Sequence, residues 1–267
     1  MQKNLTTKYK IRKKIYFDFI IKVQKKLDKI NNQKILLKVK SKKKGVFDPV
    51  TNLDQKIENF LKKIINEKFP DDTIISEESK TIYGKSDYTW YIDPVDGTKN
   101  YLLNLPTWSN LIGLYYKDTC ILSFVNFPIL KKFYVAINEK NYIFQNNRKR
   151  KIILKKNNFR FKSILINTFN TLKNKKVYNF LKNYKGLFKI TGSDAYNYCL
   201  MCEGKSDVFI ETNVKKIDIN PLVLLIKNAN LQICDWNGKL KLDSGKILIT
   251  NNLKNKEFFL KLLKSNN

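Results

Sequence analysis

The chain has 267 residues, which suits one large domain or two closely joined halves around a sizeable core. An apolar content of 43% and an aromatic content of 13% exclude a disordered chain, and the absence of histidine removes a common zinc ligand. Charge is one-sided, 52 Lys+Arg against 23 Asp+Glu for a net +29, but it is nearly all lysine and spread along the chain, so it reads as compositional bias more than a dedicated nucleic-acid surface; either way it attracts anions such as phosphorylated metabolites.

Residues 8–30, KYKIRKKIYFDFIIKVQKKLDKI, form a basic amphipathic stretch that predicts a helix packed on the protein's own core. Asp18 interrupts its apolar run and no small-residue cleavage site follows, which argues against a signal peptide. No apolar run approaches the ~18 residues of a membrane span, so a cytoplasmic protein without membrane insertion is expected. Residues 41–51, SKKKGVFDPVT, read as a charged, turn-rich loop. Between Leu53 and Phe69, apolar residues at Ile57, Phe60, Leu61, Ile64 and Ile65 have helical spacing, with Thr51 or Asn52 as cap and Asp54 in the first turn. TIIS (73–76) reads as a strand running into Glu77 and Glu78, and YTWYI (88–92) as a strand ending at Asp93. Strands are predicted at 109–116, 120–127, 133–137 and 142–145, a mostly antiparallel region.

After Lys151 the pattern alternates: strand SILIN, helix 174–184, strand LFKI, helix 193–203, strand DVFIE, helix 218–229, strand LQICD. The expected organisation is one compact unit over 1–267, with an α+β half over 1–150 carrying most of the candidate ligands. An α/β half over 151–267 would carry the substrate side and the last ligand. Cys199 and Cys202 form a C-x-x-C but lack further Cys or His partners, so with Cys120 and Cys234 they read as buried thiols of a reducing compartment.

Five acids stand at element ends and so are able to face one crevice: Asp54, Glu77, Asp93, Asp96 and Asp218. Oxygen donors without histidine or paired thiolates suit a hard divalent cation, Mg2+ above all, and five acids exceed the need of one ion. Two or three ions are expected, with the Val95 carbonyl as a further ligand between Asp93 and Asp96. If a short helix opens at Gly97 and Thr98, its free N–H groups bind an anion and the Thr98 hydroxyl positions a water. The competing reading of DPVDGT is an ordinary turn with solvated acids.

These segments resemble the inositol monophosphatase superfamily of Mg2+-dependent, lithium-sensitive phosphatases over roughly residues 35–250. DPVTNLDQKIENFL is similar to its first segment, whose final acid corresponds to Asp54; SEES to its G-E-E-S; and WYIDPVDGTKNY to the signature W-I-I-D-P-I-D-G-T-x-N-F. GSDAYNYCLMCEGKSDVFIE and KKIDINPLVLLIKNANLQICDWNG match the later segments more loosely. The resemblance implies an α/β fold with an α+β N-terminal half, layered as an αβαβα sandwich. It also implies a homodimer and hydrolysis of a phosphate monoester by a metal-activated water attacking phosphorus. It assigns Glu77, Asp93, Val95 (carbonyl), Asp96 and Asp218 to metal, and Gly97 and Thr98 to phosphate. Asp54 and Thr98 would orient the water, with Glu77 as the third catalytic residue. Ile217 stands where the family has Trp, Asn220 and Pro221 replace small residues, and a glycine-rich turn reads NANL.

Within the superfamily, the histidinol-phosphatase branch is closest. NLPTWSNLIGLYY resembles its G-L-P-x-W-G-T-L-I-G-L, GSDAYNYCL its G-G-D-x-Y-A-Y, and VKKIDINPLV its L-K-P-Y-D-x-x-A-L-V, whereas NFP at 126–128 departs from its Q-P. Histidinol phosphate carries an ammonium and an imidazole that protonates near pH ~6.5, and Asp194 beside Glu211 would make an anionic wall for such a cation. Gly192, Ser193, Asp194 and Glu211 are therefore the expected substrate-side residues, and histidine biosynthesis the expected setting. The same chemistry on inositol 1-phosphate or a 3′(2′),5′-bisphosphate nucleotide is the alternative. A basic RNA-associated protein with an inactive site is an outside reading, and the complete set of acids weighs against it.

Overall fold

The computed structural model describes residues 2–33, 38–43, 46–146, 148–152, 162–169, 172, 174–242 and 244–264. The first half runs α1 (Gln2–Asn31), β1 (Val39–Lys43), β2 (Val46–Thr51), α2 (Asn52–Lys68), β3 (Thr73–Ser76), β4 (Tyr88–Asp96), α3 (Thr98–Leu102), β5 (Ser109–Tyr116), β6 (Thr119–Phe127), β7 (Lys132–Ile137), β8 (Lys140–Gln145) and β9 (Arg148–Lys151). The second runs β10 (Ser163–Ile166), α4 (Lys175–Lys182), β11 (Leu187–Ile190), α5 (Asp194–Cys202), β12 (Val208–Thr212), α6 (Lys216–Ile219), a 3-10 turn (Asn220–Leu222), α7 (Val223–Asn228), β13 (Gln232–Asp235), β14 (Lys246–Thr250) and α8 (Leu253–Lys264). Among the described residues, no helix is long and apolar enough to cross a membrane.

Strands β3 to β9 form a seven-stranded sheet in chain order, antiparallel except for the β3–β4 pair. The second sheet has order β11-β10-β12-β14-β13; β10 is parallel to both neighbours and β14 antiparallel to both of its own. Alternation decides which layer each strand fills. In β10 and β12, Ile164, Ile166, Val208 and Ile210 face Val177, Leu181, Phe259 and Leu263 of α4 and α8 on the outer side. Leu165 and Phe209 face the other way, into a core shared with Leu111 and Phe127 of the first sheet and with α5 and α7. On the far face of the first sheet, Trp90, Ile92 and Ile112 pack against Ile20 and Leu27 of α1 and Ile57 and Leu61 of α2. The layers are thus α, β, α, β, α, an α/β architecture. Residue 150 falls in β9, the last strand of the first sheet, yet the middle core is built by both halves.

Glu203, following α5, ties the end of that helix to the first sheet. It accepts from Lys132 Nζ at 2.6 Å and from the Tyr134 hydroxyl, both on β7, and pairs with Arg150 and Lys205, each at 3.1 Å. Burial alone would raise its pKa, but the bonds from Lys132 and Tyr134 outweigh it and hold the carboxyl at about 2.

Three elements differ from the sequence reading. Residues 41–43 and 46–51, expected as loop, are strand: β1 and β2 pair antiparallel, held by backbone bonds that a lysine-rich stretch does not advertise. The helix expected over 218–229 is broken at Pro221, which lacks an N–H, into α6, a 3-10 turn and α7. That turn lies on Gly113 of β5, where an added Cβ would sit 2.7 Å from Pro221 Cα, so no side chain fits. The edge strand β9 reads RKRK, exposed at all four positions, without the apolar alternation that marks a strand. Asn230, in the NANL stretch, adopts φ +53°, the left-handed conformation for which glycine and asparagine are suited. The four cysteines are free and buried, with Cys199 and Cys202 on α5.

Candidate active site

The DPVD stretch is a β-bulge. Asp93 pairs with Leu111 and Asp96 with Ser109, so three steps along β4 face two along β5. Residues three apart on a regular strand point to opposite faces; one extra residue returns them to the same face. Pro94 is tolerated there because the bulge needs no ladder donor from it. Asp93 and Asp96 are both buried, 2% and 6% exposed.

Each acid is held by local bonds. Asp96 Oδ2 accepts from Ser109 Oγ and Ser193 Oγ, both at 3.2 Å, and from Ala195 N at 3.3 Å, which joins β4 to the start of α5. Asp93 Oδ1 accepts from Val95 N at 3.0 Å, and Thr98 Oγ1 donates to the Val95 carbonyl at 3.1 Å. Gly97 precedes α3 at φ +77°; an added Cβ there would meet nothing closer than 3.6 Å, so the backbone angle, not crowding, calls for glycine. Thr51 caps α2 in a capping box closed by Asp54. Asp218 Oδ2 accepts from Lys215 N at 2.8 Å, and Lys215 Nζ lies 2.9 Å from Glu77 Oε1.

The acids are within electrostatic reach of one another. Burial pushes the Asp93 carboxyl well above the carboxylate range, and the charges of Glu77, Asp96, Asp218 and Asp54 push it further. Asp96 is raised by burial and then by Asp194 and Asp218, against the bonds from Ser109 and Ser193. Burial raises Asp218 to about 7, with Asp194 and Glu77 adding to it and the Lys215 N–H opposing. Among the described residues no group of three acids is gathered closely enough to hold an ion. The donor set nonetheless fits a hard divalent cation: all oxygen, with Asp54, Asp93 and Asp96 buried and Glu77 and Asp218 partly so, and rich in like charges, which Lys215 offsets at Glu77.

Asp194 opens α5 behind the Ser193 cap, whose hydroxyl accepts from Tyr196 N at 3.3 Å. Ser193 is itself 1% exposed. Asp194 meets Glu211 of β12. Burial raises Asp194 to about 6, while its bonds with Glu211 and Asn167 lower it; Glu211 is raised well above its ordinary value by burial and by Asp194. Burial and the nearness of the two carboxyls therefore both work against two negative charges on the pair. Asp194 Oδ1, Glu211 Oε2 and the Tyr198 hydroxyl are buried without hydrogen-bond partners. Gly192 is exposed at φ +70°, and a Cβ there would approach Asn100 Oδ1 to 3.0 Å.

Sequence reasoning missed three supporting residues. Glu58 accepts from Glu78 N at 2.8 Å and from the Ser79 hydroxyl, fixing the turn that presents Glu77. Its signal was available, since it lies four residues after Asp54 on the buried face of α2. Asn100, the Asn of the DGTKN run, donates to Thr107 Oγ1 at 2.8 Å and to the Thr191 carbonyl at 3.4 Å. Lys215 was read only as part of a motif.

A model of the inositol monophosphatase family matches residues 9–267. The Nus factor SuhB of Pasteurella multocida is 32% identical over 203 residues, 73% of this chain and 74% of that protein. The histidinol-phosphatase of Chlorobaculum parvum is 24% identical over 209 residues, 76% of this chain and 79% of its own. Among solved structures, the staphylococcal IMPase-I complexed with products aligns at a TM-score of 0.83 and 23% identity, covering 95% of this chain and 96% of that one, a likeness of fold.

Proposed function

The chain belongs to the inositol monophosphatase family, metal-dependent enzymes that hydrolyse phosphate monoesters, and from that premise we propose that it acts with Mg2+ on a cationic ester, histidinol phosphate. The observation that carries the substrate is the Asp194–Glu211 pair, with its buried, unpartnered oxygens Asp194 Oδ1 and Glu211 Oε2. A buried polar atom without a partner is costly, and an ammonium or imidazolium supplies donors for both. A cation between the two carboxyls would also relieve the mutual repulsion that raises Glu211. Ser193 serves this pocket by holding Asp96 and starting α5, and Gly192 leaves the rim open.

In this reading Glu77, Asp93, the Val95 carbonyl, Asp96 and Asp218 bind two or three Mg2+ ions, which supply the positive charge that offsets the phosphate's and lower the pKa of water. Gly97 and Thr98 turn their backbone N–H groups to the phosphate. Asp54 and Thr98 orient the attacking water, with Glu77 beside them. Lithium sensitivity, a cytoplasmic setting and a homodimer belong to the same reading. No nucleic-acid partner is part of it.

The test is phosphate release with Mg2+ from histidinol phosphate, inositol 1-phosphate and adenosine 3′,5′-bisphosphate at equal concentration. Histidinol phosphate is expected to give the highest kcat/KM. A preference for either uncharged-pocket ester sets aside the substrate and leaves the phosphatase.

A further inference from the structure

We propose that Asn110 is a positioning residue for the metal site, acting through the Pro94 carbonyl; this rests on the metal-binding role read for Asp93, Val95 and Asp96. Asn110 lies on β5 opposite the bulge and is fully buried. Its Nδ2 donates to the Pro94 carbonyl at 2.7 Å. Its Oδ1 accepts from Asn31 Nδ2 and Asn126 Nδ2, both at 3.0 Å. With the carbonyl end of the amide taken by two donors, the NH2 end is the one turned to Pro94. Asn126 Nδ2 also reaches Asp28 Oδ1 at 3.3 Å, and Gln24 Nε2 donates to the other oxygen of Asp28. A polar chain therefore runs from α1 through β6 and β5 to the peptide that joins Pro94 and Val95.

That peptide is one rigid plane. Asn110 grips its carbonyl, and its N–H, on Val95, donates to Asp93 Oδ1 at 3.0 Å. Turning the plane would turn the Asp93 carboxylate with it, and would swing the neighbouring Val95 carbonyl as well. The strand ladder does not hold the plane, because the bulge skips Pro94 and Val95. Asn110 stands where the related W-G-T-L-I-G-L segment has Thr, a shorter side chain without an amide, and Asn126 lies in the NFP stretch that departs from the same branch. The device thus belongs to this chain's own residues.

The test is Mg2+ binding by titration calorimetry, with melting temperature and steady-state kinetics alongside, for Asn110→Ala and for Asn141→Ala as control. Asn141 is equally a buried amide on the same sheet, donating to the Leu225 carbonyl at 2.7 Å, away from the bulge. Asn110→Ala is expected to weaken Mg2+ binding about ten- to a hundredfold, the range for residues that orient metal ligands. KM for the ester should stay near wild type, and kcat should recover in part at high Mg2+. Asn141→Ala is expected to lower the melting temperature without changing Mg2+ affinity. Mg2+ affinity indistinguishable from wild type in Asn110→Ala, or an equal loss in the control, overturns the inference. If Asn110→Ala does not fold, Asn31→Ala decides: it removes one of the two donors that orient the amide, so weaker Mg2+ binding supports the inference and unchanged binding overturns it. A wild-type protein that binds no Mg2+ sinks the metal reading, and the role of Asn110 with it.

Discussion

Asp93→Asn is expected to lower turnover by more than about a hundredfold, since residues that merely orient metal ligands are worth about 10–100-fold. The fold should survive. Asp93 is buried among like charges, Glu77, Asp96, Asp218 and Asp54, all of which work against its ionisation. Removing one charge from such a group relieves repulsion, so the melting temperature should hold or rise. The amide keeps an oxygen where Asp93 Oδ1 accepts from Val95 N, so the local bond is preserved while the charge is lost. The measurement is kcat beside a thermal melt. Turnover above about a tenth of wild type contradicts a ligand role of this weight. A collapsed melt would instead mean that the carboxylate is structural.

Asp194→Asn is expected to lower kcat/KM for histidinol phosphate roughly ten- to a hundredfold, the equivalent of one charge-assisted hydrogen bond of about 1.5–3 kcal/mol. The loss for inositol 1-phosphate should be much smaller. The asymmetry follows from the pair: asparagine removes a carboxylate, facing Glu211, that a cationic ester uses and an uncharged one does not. Asp194 also opens α5, and a dipole-capping role alone would be worth about 0.3–1 kcal/mol of stability and would not distinguish the esters. Equal losses on both esters would make Asp194 a cap and remove the histidinol assignment.

What could be read from the sequence was what short spacing carries. DPVDGT, SEES and the acid opening α2 lie within a few residues of the elements that aim them, so the candidate ligands were legible without a fold. The strands 109–116 and 133–137 were legible because they are continuous apolar or alternating runs. Long-range chemistry was not. Lys215 meets Glu77 across 138 residues and Ser193 meets Asp96 across 97, and no local pattern announces either. The bulge at Asp93–Asp96 follows from a register between two strands, and the grip of Asn110 on Pro94 depends on that register. Asp194 and Glu211 were placed side by side from the motif, but the upward push on both carboxyls comes from their burial in the fold.

The most direct measurement is the titration of Mg2+ into chelator-treated wild-type protein and into Asp93→Asn, followed by calorimetry and by phosphate release from histidinol phosphate. Saturable binding of two or three ions, with phosphate release rising over the same Mg2+ range and both lost in Asp93→Asn, is the expected result. Full phosphate release in the presence of chelator, or Mg2+ binding that Asp93→Asn leaves unchanged, would contradict a metal site built on these acids.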